Sequence, residues 1–392
     1  MPASSGPLAG TVVVDLSRAL AGPHATMMLG DLGARVIKVE APGHGDDTRS
    51  WGPPFVGPAG EPVATYFLSA NRNKESIALD LKDPTDRATL LALVDRADVL
   101  VENFRTGVLE RLGLGIADLM TRNPRLVVLS ITGFGHDGPE GGRAGYDQIA
   151  QGEAGLMSLT GTGPEDPQRV GVPIADLLAG MYGAYGVLAA LHERDHTGHG
   201  QLVRTSLLAA VVGVHAFQGT RWTVAGEVGR AQGNHHPSIA PYGLFRCLDG
   251  AVQIALGSES LWQRFCAGFG IDPATPGLAT NPERVGAREH TIAVVEEAFA
   301  HWPAEQLLAR LAELGVPAGK VRTLDEVYTW EQTASQGLLV DVDHPSLGPI
   351  TLPGPPLRFF DGDGTETTFT THTAPPLLDA DGAGLRAWAA GD

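Results

Sequence analysis

Runs of aliphatic and β-branched residues alternate with helical segments through the first third of the chain. Five runs have the composition of strands, at residues 11–16, 34–40, 76–81, 98–102 and 125–132. The segments between them have helical periodicity or a helix start such as Gly22-Pro23. Successive strands joined by helices lie parallel in one sheet, and such sheets bind ligands at the carboxyl ends of their strands. The pattern predicts an α/β fold with an open, Rossmann-like parallel sheet.

The pattern changes near residue 226. Residues 243–256 alternate like a β-hairpin around a Leu-Asp-Gly turn, and amphipathic helices follow in a turn-rich background. A chain of 392 residues is also too long for one compact core. We therefore expect a large α/β domain over residues 1–225, a smaller α+β domain over residues 226–330, and a C-terminal segment, 331–392, that returns to the large domain.

One acid, Asp176, lies at the head of an apolar run over residues 171–191. The run predicts a helix that is apolar on every side and therefore buried; a second long apolar helix is expected at residues 201–217. As a helix N-cap, Asp176 would be held ionised by the helix dipole, which is the more frequent role for such an acid. A desolvated carboxylate in a cleft can also attack an activated acyl group.

Composition excludes several classes of partner. The chain has 28 basic and 45 acidic residues, which argues against binding to nucleic acid or to an anionic membrane. The excess of acidic residues is unevenly distributed: the net charge is −2 over residues 1–125 and −15 over the rest. An anionic ligand would therefore bind more favourably to the first third of the chain. The start lacks a signal-peptide pattern, and apolar runs are interrupted by glycine or charge. We expect a soluble, cytoplasmic protein without a membrane partner.

Three short motifs match known patterns weakly. Residues 133–138 fit the dinucleotide signature GxGxxG, but the following PEGGRAG cannot open a helix, so no nicotinamide cofactor is expected. His192 and His196 fit HExxH, but Thr197-Gly198 end the helix at once, and no metal site is expected. The adjacent His235 and His236 lie in a Gly- and Pro-rich turn, which is either a solvated loop or a polar rim over a ligand site.

Several longer motifs, taken together, resemble the family III CoA-transferases of the CaiB/BaiF type. They run in the family's order over nearly the whole chain: LAGPHATMMLGDLGARVIKVEAPGHGDDTR, NRNKESIALDL, ADVLVENFRTGVLERLGLG, GYD, IADLLAG and TGHGQ. The GDDTRSWGPPF, NRNK and PSIAPY stretches look most like the dicarboxylate enzymes of the succinyl-CoA:glutarate type. The resemblance implies transfer of CoA from an acyl-CoA, succinyl-CoA or a similar donor, to a carboxylic acid, which we expect to be a dicarboxylic one.

The resemblance also assigns residues. It places the nucleophile on Asp176, which would form an aspartyl anhydride and then an aspartyl-CoA thioester. It implies CoA contacts at Leu20, Ala21, Leu79, Asp80, Leu81, Lys82, Asn103, Phe104, Arg105, Arg111, Ala144, Gly145, Tyr146 and Asp147. The last four of these residues are expected near the active site. The family forms interlocked homodimers, which the resemblance implies here. No metal is implied.

The resemblance leaves alternatives open. The family includes 2-methylacyl-CoA racemases, which use a histidine where this chain has Tyr146, a weak base near neutral pH. A CoA-binding protein without turnover is a third possibility, against which the intact Asp176 argues. Arg18, Arg72 and His235 could each hold a second carboxylate, with His236 as a further candidate contact. The chain lacks the glycine run of formyl-CoA transferase, and the loop around His235 could fill that role.

Overall fold

The computed structural model describes residues 6–58, 60 and 62–391. These residues form two compact units. The larger unit comprises the described parts of Met1–Leu156, Val170–Gly226 and Glu331–Asp392, and the smaller unit comprises Met157–Arg169 and Glu227–Trp330. The expected domain limits remain a prediction, since compactness alone defines these units.

The first part of the chain contains most of the larger unit and, from Met157 to Arg169, a segment of the smaller one. Its elements are β1 (Val12–Asp15), α1 (Ala21–Asp31), β2 (Arg35–Glu40), a 3₁₀ helix (Asp47–Ser50), β3 (Phe55–Val56), β4 (Val63–Ala64), α2 (Thr65–Leu68), β5 (Lys74–Ala78), α3 (Pro84–Asp95), β6 (Val99–Glu102), α4 (Val108–Arg111), α5 (Ile116–Arg122), β7 (Val127–Thr132), α6 (Asp147–Glu153), α7 (Leu156–Leu159), α8 (Ile174–Thr197), β8 (Leu202–Ser206), α9 (Leu207–Gly213) and α10 (Ala216–Ala225).

The later elements complete both units. They are β9 (Tyr242–Cys247), β10 (Gly250–Ala255), α11 (Glu259–Phe269), α12 (Asn281–Gly286), α13 (Arg288–Phe299), α14 (Ala304–Glu313), β11 (Ala318–Gly319), α15 (Leu324–Tyr328), α16 (Glu331–Ser335), β12 (Leu339–His344), β13 (Gly348–Pro353) and α17 (Gly382–Ala390).

A six-stranded sheet in the order β5-β2-β1-β6-β7-β8 organises the larger unit. Every neighbouring pair is parallel, and in the centre Val14 is paired with Ile37 on one side and Leu100 on the other. Side chains alternate between two buried faces: Val13 belongs to the core with α1 and α8, and Val14 to the core with α3. The predicted α/β class with an open parallel sheet is confirmed.

The helix expected at residues 201–217 is wrong in its first part. Residues 202–206 are the edge strand β8, paired with β7, and the helix begins at Leu207. Ser206 separates the two, because its side chain accepts a hydrogen bond from the Ala209 amide at 3.0 Å and caps α9. A short apolar run fits either element, and pairing with β7 decides the outcome.

The smaller unit has its own core. Its sheet has the antiparallel order β11-β10-β9, and the predicted hairpin at residues 243–256 is present as β9 and β10. Helices α11, α13 and α14 contribute buried side chains such as Trp262, Phe299 and Leu307. The packing is that of a small α+β layer.

The C-terminal segment packs on the open edge of the larger sheet. After the β12–β13 hairpin, the carboxylates of Asp381 and Asp379 accept hydrogen bonds from the Ser76 and Ala78 amides of β5, at 2.9 and 2.8 Å. Arg386 donates to the Ala78 carbonyl at 2.7 Å. Side chains thus satisfy backbone groups of an edge strand that would otherwise be free.

Helix α8 is the longest helix of the described residues. By length and composition alone it could cross a membrane, a test that core helices of soluble proteins also pass. Its Ala179, Gly183 and Val187 pack against the sheet and α1. It therefore serves as a core helix whose first turn lies beside the functional site.

Candidate active site

Two adjoining cavities lie at the carboxyl ends of the sheet strands, both within the larger unit. The first, of about 370 Å³, has Asp176 on its wall, and we call it the Asp176 pocket. The second, of about 490 Å³, lies beside Lys82, and we call it the Lys82 pocket. Arg18 and Phe104 line both cavities. These two side chains therefore form a wall that both cavities share.

Most of the site residues predicted from the sequence line these cavities. The Asp176 pocket contains Arg18, Ala21, Asn103, Phe104, Arg105, Ala144, Gly145, Tyr146, Asp147 and Asp176. The Lys82 pocket contains Leu79, Asp80, Leu81 and Lys82. They come from loops after β1, β5, β6 and β7 and from the starts of α6 and α8, as expected when parallel strands end at one edge.

Other predicted residues lie outside both cavities. Leu20 is buried at the start of α1, and Arg111 is exposed at the end of α4. Arg72 is buried and bonded to both oxygens of Asp31, at 2.7 and 2.5 Å. His235 and His236 belong to the smaller unit, where their rings lie against Phe245 and Tyr242. Of the candidates for a second carboxylate, Arg18 is the one that lines the Asp176 pocket.

Asp176 lies in the first turn of α8 but does not cap it. The N-cap is Pro173, which offers no side-chain acceptor. Asp147 takes that role from α6, because its Oδ1 accepts from the Ala175 amide at 2.8 Å and from the Asp176 amide at 3.4 Å. The cap role considered for Asp176 is therefore wrong, and the residue lines the pocket instead.

The surroundings of Asp176 favour its neutral form. Burial and the charge of Asp147 together raise the pKa of the Asp176 carboxyl from 3.8 to about 7. The expectation that Asp176 is held ionised is therefore corrected, since burial and the second carboxylate both favour the protonated acid. Near neutral pH the group exists in both forms, and its carboxylate is more basic than an ordinary one.

Two aromatic residues that the sequence analysis missed also line the Asp176 pocket. Trp51 and Tyr66 meet edge to face, with ring centroids 5.1 Å apart. Burial, followed by the charges of Asp176, Asp147 and Asp46, raises the pKa of the Tyr66 phenol, so it stays a hydrogen-bond donor. The available signal was the long loop after residue 40, since loops of that length are often functional.

The loop that carries Arg18 is held from both sides. Its backbone amide donates to Asn103 Oδ1 at 2.8 Å, and its carbonyl accepts from Asn103 Nδ2 at 2.7 Å. The guanidinium lies 5.6 Å from the Phe104 ring centroid and 3.6 Å from Asp47, in a half-exposed position. An anion entering the cavity can therefore compete with Asp47 for Arg18.

Beneath this loop lies a buried ionic network. Lys38 Nζ donates to the Ser17 carbonyl at 3.0 Å and to Asp46 at 2.8 Å, while Lys74 Nζ lies 3.0 Å from Asp15. Burial favours neutral Asp15, but the charges of Lys74 and Lys38 outweigh it and lower the pKa of Asp15 to about 2. The network fixes the ends of β1 and β2, which shape both cavities.

The Lys82 pocket presents polar groups suited to an anion. Lys82 is exposed, and its backbone amide donates to Asp80 at 3.0 Å, which fixes the turn after β5. His44 lies on the opposite loop, after β2. Arg105 is exposed on the neighbouring pocket wall. Phosphate groups bind to such cations at a strand's carboxyl end.

Comparison with known proteins identifies the family. The sequence signature of CoA-transferase family III matches residues 8–382. The chain belongs to the family III CoA-transferases. This CoA-transferase is 38% identical to the succinyl-CoA:glutarate CoA-transferase of Mus musculus, over 96% of this chain and 84% of that protein. It is 37% identical to the acetyl-CoA:oxalate CoA-transferase of Acetobacter aceti, over 97% of this chain and 95% of that protein.

A solved structure shares the whole fold. The crystal structure of a CAIB/BAIF family protein from Brucella suis is 39% identical and superposes with a TM-score of 0.85, covering 98% of this chain and 99% of that one. The family III resemblance seen in the sequence motifs is therefore confirmed. Among the described residues no group of three or more His, Cys, Asp or Glu side chains could hold a metal ion.

Proposed function

We propose that this CoA-transferase moves CoA from an acyl-CoA, such as succinyl-CoA, to a dicarboxylic acid, with Asp176 as the covalent nucleophile. One observation carries the proposal: Asp176, in the first turn of α8, lines a cavity that shares Arg18 and Phe104 with a second cavity lined by Lys82. The relatives named above act on glutarate and oxalate, both dicarboxylic acids. These relatives support a dicarboxylic acid as the acceptor.

The reaction balances without an outside energy source. An Asp176 oxygen attacks the thioester carbonyl, the C–S bond breaks, and CoA leaves as the thiolate. The thiolate then attacks the Asp176 carbonyl carbon, releasing the donor acid and leaving an aspartyl-CoA thioester. The acceptor carboxylate repeats the two steps in reverse order, ending as an acyl-CoA with Asp176 free. The thioester energy is kept only if water is excluded from the anhydride.

The residues divide into two tasks. Lys82, Arg105 and the loop at Leu79 would hold the CoA phosphates and nucleotide, while Arg18 would face the acid or the pantetheine arm. Tyr66 lines the Asp176 pocket, and its hydroxyl remains a hydrogen-bond donor because its pKa is raised. It is suited to hydrogen-bond a carbonyl oxygen whose negative charge rises during attack.

The test is a panel of acyl-CoA donors and dicarboxylate acceptors with purified protein. Asp176→Asn keeps the shape of the side chain but cannot form the anhydride, so we expect exchange to fall by more than about 10³-fold, as for loss of other covalent nucleophiles. Mass spectrometry of wild type with donor alone should find an adduct on the peptide containing Asp176. Near wild-type exchange by Asp176→Asn would contradict the proposal.

The racemase alternative predicts a different result. Racemisation needs a second base opposite Asp176, and Tyr146, which lines the pocket, is 66% exposed and bears a phenol. We expect no exchange of the α-proton of a 2-methylacyl-CoA with deuterium from solvent. Incorporation of deuterium at a rate comparable to CoA transfer would favour the racemase.

We also propose that the protein is a homodimer. Met181, Tyr185 and Leu188 follow one another at i, i+4 and i+7 on α8 and leave an apolar stripe exposed, with Tyr185 72% exposed. Phe217 and Trp222 on α10 are exposed as well. Large apolar side chains exposed in a row on one helix face are typical of an interface. A second copy of the chain, as in the interlocked dimers of the family, would cover it.

A further inference from the structure

The side chain of Asp147 joins two helix starts at the active site. Its Oδ1 accepts from the Ala175 amide at 2.8 Å, in the first turn of α8, and its Oδ2 accepts from Gln151 Nε2 at 2.7 Å, within α6. Gln151 is fully buried, and its Oε1 accepts from the Val170 amide at 2.9 Å. Asp147 is therefore held from both oxygens, and it anchors the turn that presents Asp176.

The same carboxylate is a like charge facing Asp176. Both groups line one pocket. Burial is the larger cause of the raised pKa of Asp176, and the charge of Asp147 is the second cause. The other ionisable groups lining the pocket are Arg18, Asp47, Tyr66, Arg105, Arg143 and Tyr146. Arg18 lies near Asp47, and Arg143 is bonded to Glu140 and Glu153. In the described part of the chain no basic side chain forms an ion pair with Asp176.

We propose that Asp147 is a positioning residue that orients Asp176 through the α8 backbone and, by its charge, favours the covalent forms of Asp176 over the free carboxylate. This inference rests on the proposed function. When Asp176 attacks the thioester, its carboxyl becomes part of a neutral anhydride, and the negative charge leaves on the CoA sulfur. Repulsion from Asp147 therefore acts on the free enzyme and disappears in the anhydride and in the aspartyl-CoA thioester.

Acylation and protonation change the charge of Asp176 in the same way. Both convert Asp176 from a charged group to a neutral one, so surroundings that favour the protonated acid also favour the acylated one. A carboxylate held at such a cost is also a stronger nucleophile. The anhydride is a high-energy species. Raising the free energy of the free carboxylate reduces the free-energy difference between that carboxylate and the anhydride.

Asp147→Asn removes the charge and keeps the hydrogen bond to α8. Its Oδ1 can still accept from the Ala175 amide, while its Nδ2 replaces the oxygen that accepted from Gln151 Nε2, so that second bond is lost together with the charge. Because the charge no longer opposes ionisation, we expect the acid limb of the kcat/KM profile to move to lower pH by about half a unit or more. Above pH 8, where Asp176 is ionised in either protein, kcat should fall by about threefold or more because the nucleophile is weaker. Less acyl-enzyme should accumulate with donor alone.

A matched control keeps the charge. Gln151→Met removes the hydrogen bond to Asp147 Oδ2 but leaves its carboxylate in place, so its acid limb should coincide with that of the wild type. Asp147→Ala removes charge and acceptor together, and should lose activity at every pH and unfold at lower temperature. Thermal unfolding of each variant separates loss of fold from loss of rate.

Two outcomes would overturn the inference. The first is an Asp147→Asn enzyme with the acid limb and kcat of the wild type; the second is one that loses rate equally at all pH values with an unmoved limb, which indicates a purely structural role. Either result leaves CoA transfer through Asp176 intact. Failure of the proposed function shows differently, as a wild type without exchange activity or an active Asp176→Asn.

Discussion

Asp176 must lose its proton to act, yet its surroundings disfavour the charge. An acid whose pKa rises from 3.8 in the unfolded chain to about 7 in the folded protein destabilises the fold progressively as pH rises between these values. Above pH 7 the free energy of unfolding is lowered by the full amount. The residue that carries the chemistry thus lowers stability at the pH where it works.

Asp176→Asn should therefore unfold at higher temperature than the wild type. We expect little difference at pH 4, a growing advantage up to pH 7, and a constant one above it, of about 1–4 kcal/mol. Calorimetry of the wild type and the variant at several pH values between 4 and 8 measures this difference in stability. A variant that is equally stable at pH 8 would show that Asp176 is ionised in the fold without cost.

At the scale of elements, close contact between α1 and α8 places the two walls of the Asp176 pocket. A Cβ atom added at Gly180 would lie 2.6 Å from the Ala21 carbonyl oxygen, which is backbone and cannot turn away. Ala21 itself lines the pocket. Any side chain at position 180 would therefore displace the start of α1.

Gly180→Ala should consequently lower both stability and activity, although alanine favours helix by about 1 kcal/mol. We expect a net loss of about 1–3 kcal/mol and a raised KM for acyl-CoA. Gly183→Ala is the matched control, because its added methyl meets the ends of two side chains and no backbone atom: Leu129 Cδ2 at 2.8 Å and Ile131 Cδ1 at 3.6 Å. Equal behaviour of the two variants in urea unfolding and kinetics would contradict this account.

The sequence predicted local features well and long-range ones poorly. Strands such as β1 and β7 follow from their aliphatic runs, and helix α8 follows from the long apolar run after Asp176. The strand β8 was missed because its identity depends on pairing with β7. The capping of α8 by Asp147 and the bond of Lys74 to Asp15 join residues 28 and 59 positions apart, and no local pattern encodes them.

At the scale of the whole molecule, the exposed stripe on α8 predicts association. Tyr185→Glu places a charge in the centre of the proposed interface, where desolvation is costly, so we expect a dissociated or aggregated protein. Tyr185→Phe keeps the apolar surface and should behave as the wild type. Light scattering after size-exclusion chromatography gives the mass, and a wild-type monomer would refute the dimer.

The covering of β5 by Asp381 has a consequence for biosynthesis. The bond between the Ser76 amide and Asp381 spans 305 positions, and β5 is the outer strand of its sheet. While the ribosome is still translating the residues between them, the nascent chain can form the parallel core but exposes a strand whose amides are free to pair with another polypeptide. A chaperone that shields this edge until translation passes Asp381 would raise the yield of native enzyme.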